Sequence, residues 1–121
     1  MTTTTSCAFC AIIAGTAPAT IVREWPDAIA FLPRGDSSGD HVLVVPRRHV
    51  ATAIEDPDVT GLVAMRAAEL AVELGWEHLN FIDNVGRWAS QSVFHHHKHM
   101  KRRRLGDRVL LPWPQPLQVS A

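Results

Sequence analysis

The groups able to do chemistry concentrate in Gln91-Ser92-Val93-Phe94-His95-His96-His97-Lys98-His99-Met100, a segment holding four of the chain's seven histidines. A β-strand turns its side chains to alternate faces. As a strand, this segment puts His95, His97 and His99 on one face with Val93, spaced roughly 7 Å apart. Phe94, His96 and Lys98 then point the other way. Imidazoles in a row do not build an apolar core, and a buried imidazole needs a hydrogen-bond partner, a metal or a ligand. An expression tag is uninterrupted and terminal, whereas this run is internal and broken by Lys98. The neutral ring is a competent nucleophile near pH 7, because its unperturbed pKa is about 6.5.

A second group lies at the other end of the chain. Cys7-Ala8-Phe9-Cys10 has the spacing that lets two thiolates reach one zinc ion. Two ligands do not close a tetrahedral site, so this reading needs two more. The redox reading of such a pair requires a thioredoxin-like βαβ pattern, which the sequence lacks. His49, just after the apolar run ending at Pro46, is either a surface residue or a third metal ligand. Lys101-Arg102-Arg103-Arg104 is either a solvated basic face or an attractor of phosphate.

These groups must be held by a modest set of elements. Phe9 to Ala14 predicts a short helix ending at Gly15. Thr20 to Glu24 and Ala28 to Leu32 predict two strands separated by a Pro26-Asp27 turn. Pro33 to Asp40 is rich in Gly, Ser, Asp and Pro and reads as a loop. His41 to Pro46 is the clearest strand, β-branched and apolar. Asp56-Pro57 is a helix start, with an N-cap acid and a first-turn proline. Val59, Leu62, Val63, Ala67, Leu70 and Leu74 recur at helical spacing up to a Gly75 cap, predicting a helix of about 17 residues lying on a sheet. His78 to Asp83 reads as a strand, followed by a turn and loop over residues 84–90. Val93 to Met100 is predicted to pair antiparallel with residues 78–83. Pro112, Trp113, Pro114 and Pro116 keep the C-terminal segment extended, where it could cover a site or a subunit partner.

The 121 residues fit one domain, expected over residues 7–121 behind a disordered tail of residues 1–6. The balance of 46% hydrophobic and 20% charged residues is that of an ordinary globular protein. Zero formal net charge argues against nucleic-acid binding. No apolar run approaches the roughly 20 residues of a membrane span, and the N-terminus lacks a secretion signal. A cytoplasmic location is expected, with reduced cysteines.

The order of Cys7-x-x-Cys10, Leu43-Val44-Val45-Pro46-Arg47-Arg48-His49, a helix, Asn84-x-Gly86, Gln91-Ser92-Val93-x-His95-x-His97-x-His99 and Gly106-Asp107 closely resembles the histidine triad (HIT) family of nucleotide hydrolases and transferases. The resemblance runs from about Cys7 to Trp113. It implies an α+β fold, an antiparallel sheet of about five strands with one long and one short helix, and a homodimer. It implies cleavage at the α-phosphorus of a nucleoside phosphoramidate, dinucleoside polyphosphate or adenylylated compound. His97 matches the nucleophile, and His99 a phosphate contact that assists the leaving group. His95 matches the residue whose carbonyl orients the nucleophile, and Ser92 a phosphate or leaving-group contact. Asn84, Gln91 and Phe31 fall among the nucleotide-binding positions. The resemblance also implies a structural zinc ion on Cys7, Cys10, His49 and His95. Two competing readings are a nucleotidyltransferase with a non-water acceptor and a zinc-stabilised nucleotide-binding scaffold with little turnover.

The chain departs from the family pattern at several positions. His96 and Lys98 replace apolar residues, which predicts a less buried back face of the triad strand. Arg102 stands at a frequent proline, Ser90 and Asp40 at frequent glycines. Pro33 stands where an acidic residue commonly holds the ribose hydroxyls, which predicts weak discrimination of the sugar. Asp36 in the following loop is the candidate substitute.

Overall fold

A computed structural model describes residues 6–115. The expected N-terminal tail, except Ser6, and Pro116 of the proline-rich segment lie outside the described residues. The element order is α1 (Ala8–Ile13), β1 (Ile21–Glu24), β2 (Ala28–Phe31), β3 (His41–Pro46), α2 (Pro57–Leu74), β4 (Leu79–Asp83), a single 3₁₀ turn (Arg87–Ala89) and β5 (Lys98–Arg102). The strands form one antiparallel sheet in the order β1-β2-β3-β5-β4. This is the α+β architecture expected, one long helix and one short one around five strands.

Helix α2 forms where its signals stand. The Asp56 carboxylate accepts from the Asp58 and Val59 amides, Pro57 opens the first turn, and Gly75 closes the helix at φ +71°. A left-handed residue at that place is what glycine supplies without a Cβ penalty. Val59, Val63, Ala67 and Leu70 are buried as the periodicity requires, with Ala71 beside them, while Leu74 is exposed. The helix stripe packs on Ala28, Ala30, Val42, Val44 and Met100. On the opposite face of the sheet, Phe9 from α1 packs with Ile29, Phe31, Leu43 and Val45. Each large apolar side chain buried in these layers contributes roughly 1.5–3 kcal/mol. No described helix is long and apolar enough to cross a membrane.

The triad segment differs from the expectation. The strand begins at Lys98, so Val93 to His97 are outside it. The pairing with β4 is as expected from Lys98 onward, through Asp83↔Lys98, Ile82↔His99 and Phe81↔Met100. Pro46 supplies the physical reason. Val44 pairs with Lys98, and continuing that register would set Pro46 opposite His96. Proline has no N–H to give a ladder. The His96 amide instead donates to the Val50 carbonyl at 2.7 Å, and the chain bends away.

The back face of this segment is also more enclosed than expected. His96 is 1% exposed. Lys98 lies largely buried, with its ammonium 2.9 Å from an Asp83 carboxylate oxygen. The charge on Lys98 is thus answered across the β4–β5 pair rather than by solvent.

Candidate functional site

Three elements converge on the triad. The N-terminus of α1 brings Cys7 and Cys10, the turn after β3 brings His49, and the bend before β5 brings His95 and His97. His97 is 6% exposed, with Phe9 edge-on at 5.0 Å and the His99 ring 5.1 Å away. Its Nδ1 lies 2.8 Å from the His95 carbonyl oxygen. A carbonyl only accepts, so Nδ1 carries the proton and the Nε2 lone pair is left for an electrophile. Burial lowers the pKa of His97, against smaller opposing effects of the His95 carbonyl and the Asp83 charge. Burial thus favours the neutral ring, the form in which an imidazole can act as a nucleophile.

His99 stands two residues further on the same face, its pKa pushed down to about 4 by burial and then by His97 and His41. Its Nδ1 is 2.9 Å from His41 Nε2, with the two rings stacked. His41 is a site residue that sequence reasoning missed. Its signal was available: His41 is the first residue of β3 and shares a face with Leu43, which pairs directly with His99.

The metal cluster is assembled in full. Cys7, Cys10, His49 and His95 offer ligand atoms all within 4.8 Å of one another. His49 Nδ1 and His95 Nδ1 are 3.1 Å apart. The Cys7–His95, Cys10–His49 and Cys10–His95 sulfur–nitrogen distances are 3.5, 3.4 and 3.6 Å. A tetrahedral zinc ion with ordinary bond lengths separates two nitrogens by about 3.3 Å and a nitrogen from a sulfur by about 3.6 Å. The donor set and these four spacings fit zinc. His95 also donates Nε2–H to the Pro46 carbonyl at 2.8 Å, which leaves Nδ1 as the metal-facing lone pair. Such outer hydrogen bonds fix a ligand imidazole in the correct tautomer.

The remaining expected site residues are less uniform. Ser92 is exposed and Asn84 half-buried, and neither makes a side-chain hydrogen bond among the described residues, so both are free for a ligand. Phe31 is buried beneath Phe9, with ring centroids 5.3 Å apart. Gln91 is 3% exposed. Its amide donates to the Ala51 and Val93 carbonyls at 2.8 and 3.0 Å and accepts from the Gly86 amide at 2.9 Å. It therefore staples the loop before the triad. Asp36 accepts from the Ser38 amide and hydroxyl and from the Gly39 amide, which holds its carboxylate within its own loop.

Histidines alternating at the end of a central strand, with a two-cysteine, two-histidine cluster behind them, define a histidine triad site. The HIT domain family model matches residues 14–105, and the chain belongs to the HIT family. An uncharacterized HIT-like protein of Methanocaldococcus jannaschii is 36% identical over 94% of this chain and 92% of its own length. The adenosine 5'-monophosphoramidase of Schizosaccharomyces pombe is 33% identical over 78% of this chain and 72% of its own. Among solved structures, a HIT family hydrolase from Clostridium thermocellum superposes with a TM-score of 0.78 at 29% identity, covering 92% of this chain and all of that one. A zinc-bound histidine triad family protein from Mycobacterium smegmatis has a TM-score of 0.72 at 34% identity, covering 93% of this chain and 85% of that one.

Proposed function

We propose that this protein is a nucleotide hydrolase acting at the α-phosphorus of a nucleoside phosphoramidate, dinucleoside polyphosphate or adenylylated compound. The observation that carries the reading is the 2.8 Å hydrogen bond from His97 Nδ1–H to the His95 carbonyl. It fixes the neutral tautomer whose Nε2 can attack phosphorus. In the first step an Nε2–P bond forms and the bond from phosphorus to the leaving group breaks, giving a nucleotidyl-histidine. The leaving group takes up a proton from solvent, and the neutral His99 ring beside His97 can hydrogen-bond to it as it departs. Water then attacks phosphorus, the P–Nε2 bond breaks, and the nucleoside 5'-monophosphate departs. Ser92, Asn84 and His99 are the side chains available to steady the non-bridging oxygens. The phosphoramidase activity named for the Schizosaccharomyces pombe relative supports the substrate class.

Zinc on Cys7, Cys10, His49 and His95 is proposed as structural, since four protein ligands leave no open position. It would tie α1 to the triad segment. A homodimer is proposed with it, supported by the outer edge of β4, which pairs with no strand among the described residues, and by the exposed Phe81 on that strand. A cytoplasmic location is proposed as well, in keeping with Cys7 and Cys10 being grouped with His49 and His95 rather than joined in a disulfide.

Turnover of adenosine 5'-monophosphoramidate by His97→Ala tests the reaction. The variant should keep its fold and nucleotide affinity and lose turnover by at least about a thousandfold. Acid quench of the wild type with labelled substrate should trap label on protein. Activity of the variant near the wild-type rate would overturn the assignment.

A further inference from the structure

The basic run after the triad is not uniform in what its side chains do. The Arg102 guanidinium lies over the Trp76 ring at 5.9 Å. Arg103 is bound to Asp107 at 2.9 Å and to the Asn80 side chain at 2.6 Å. Arg104 grips both oxygens of Asp40 at 3.0 and 3.1 Å. Lys101, like Arg102, makes no ion pair or hydrogen bond through its side chain among the described residues, and it has no aromatic ring against it, although it is half-buried. The carboxylate that feels its charge, Asp40, has both oxygens gripped by Arg104, and a partly desolvated cation with no acceptor in contact is costly, which points to an anion supplied from outside.

Its position says which anion. Lys101 lies two residues beyond His99 on β5, so the two side chains share the triad face. It pairs directly with His41 on β3 and with Asn80 on β4. His41 in turn reaches His99 through the 2.9 Å contact. The row next to the triad is thus built of a lysine and a histidine. Two nearby acids are already occupied: Asp40 by Arg104, and Asp36 by Ser38 and Gly39. Pro33, two residues beyond the end of β2, has no side-chain acceptor. The neighbourhood offers positive charge and donors with no free carboxylate, the opposite of what hydroxyl groups of a sugar require.

We propose that Lys101 and His41 form a subsite for a second phosphate group of the substrate, set one strand repeat of roughly 7 Å from the triad phosphate position. The inference rests on the triad being a nucleotide site, as proposed above. The second phosphate sits either on the ribose or in the chain leaving from the α-phosphorus. Both present anionic phosphate oxygens to Lys101.

Calorimetric binding to the full-length zinc-loaded protein separates these cases. The ligands are adenosine 5'-monophosphate, adenosine 3',5'-bisphosphate, adenosine 2',5'-bisphosphate and adenosine 5'-diphosphate. At least one doubly phosphorylated ligand should bind the wild type roughly ten- to a hundredfold tighter than the monophosphate, the range of one charge-assisted contact. A bisphosphate advantage places the group on the ribose, and a diphosphate advantage places it in the leaving chain. Lys101→Met should reduce the advantage to below about threefold while shifting monophosphate affinity less than twofold, and Lys101→Arg should retain it. Equal affinities for all four ligands, absence of binding by any, or an advantage surviving in Lys101→Met would overturn the subsite. Because the readout is binding, a wild type that binds as expected but never turns over would sink the hydrolase reading and leave the subsite standing.

Discussion

Gln91 offers the sharpest test of how the triad is held. Its side chain makes three hydrogen bonds to three different backbone groups at 2.8, 3.0 and 2.9 Å, at 3% exposure. Gln91→Met keeps most of the volume and removes every one of these bonds. A typical internal hydrogen bond contributes about 0.5–1.5 kcal/mol net, so the three together come to roughly 3 kcal/mol. A domain of this size loses about 3–5 °C of melting temperature per kcal/mol, which predicts a fall of about 10–15 °C. Gln91→Glu should be no better, because it keeps an acceptor for Gly86 but sets a carboxylate oxygen against the Ala51 and Val93 carbonyls. Urea unfolding with an unchanged slope gives the stability, and steady-state kinetics give the catalytic cost of loosening Ser92 and Val93. Stability within about 0.5 kcal/mol of wild type, with nucleotide affinity lost instead, would show that Gln91 contacts ligand directly and that the stapling argument is wrong.

Three further outcomes are expected. Protein prepared without chelator should carry about one zinc per chain, and Cys10→Ser should lose the metal and melt about 10 °C or more lower; metal analysis that finds no zinc in the wild type would count against the cluster. Ribose and 2'-deoxyribose substrates should differ less than about threefold in kcat/KM for the wild type, while Pro33→Asp should favour ribose by roughly tenfold or more through its new carboxylate; a strong ribose preference already present in the wild type would refute this. Ser90 holds φ +74° at the end of the 3₁₀ turn, a conformation that penalises a Cβ, so Ser90→Gly should raise stability by about 0.5–1 kcal/mol in chemical denaturation, and a loss of stability would contradict the assignment of strain.

The parts of the fold that the sequence made legible are those whose signals are local. The cap residues Asp56, Pro57 and Gly75 bracket α2, and the β-branched run from His41 to Pro46 is β3. The start of β5 was not local information. It depends on which residue of β3 faces His96, and only the register reveals that this is a proline. The burial of His96 and Lys98 was hidden for the same reason, since Asp83 becomes a partner only once β4 and β5 are aligned. Polar residues at alternate positions look solvated until their cross-strand neighbours are known. Ser90 illustrates the converse. Its place at a frequent glycine was readable, and the positive φ there supplies the physical reason glycine suits it. The candidate metal ligands fall between these cases. Cys7 and Cys10 carry their own signal, whereas His49 and His95 lie 39 and 85 residues from Cys10 and meet it only in the folded chain.

The early end of β5 matters because β5 lies between two strands. In a complete ladder a central strand commits its carbonyls to its neighbours, and His95 would have none to spare. With the ladder closed at Lys98, the His95 carbonyl is released to accept from His97 Nδ1. The same residue gives Nε2–H to the Pro46 carbonyl and turns Nδ1 toward Cys7, Cys10 and His49. Pro46 therefore acts twice: its missing N–H stops the ladder, and its carbonyl fixes the His95 ring. His95 is fully buried, so neither of its hydrogen bonds competes with water. A change at His95 should damage metal binding and the tautomer of His97 together, whereas a change at Cys10 should reach the triad only through the metal. The separation between those two variants, in zinc content against turnover, is the measure of how much of the catalytic geometry the metal cluster itself maintains.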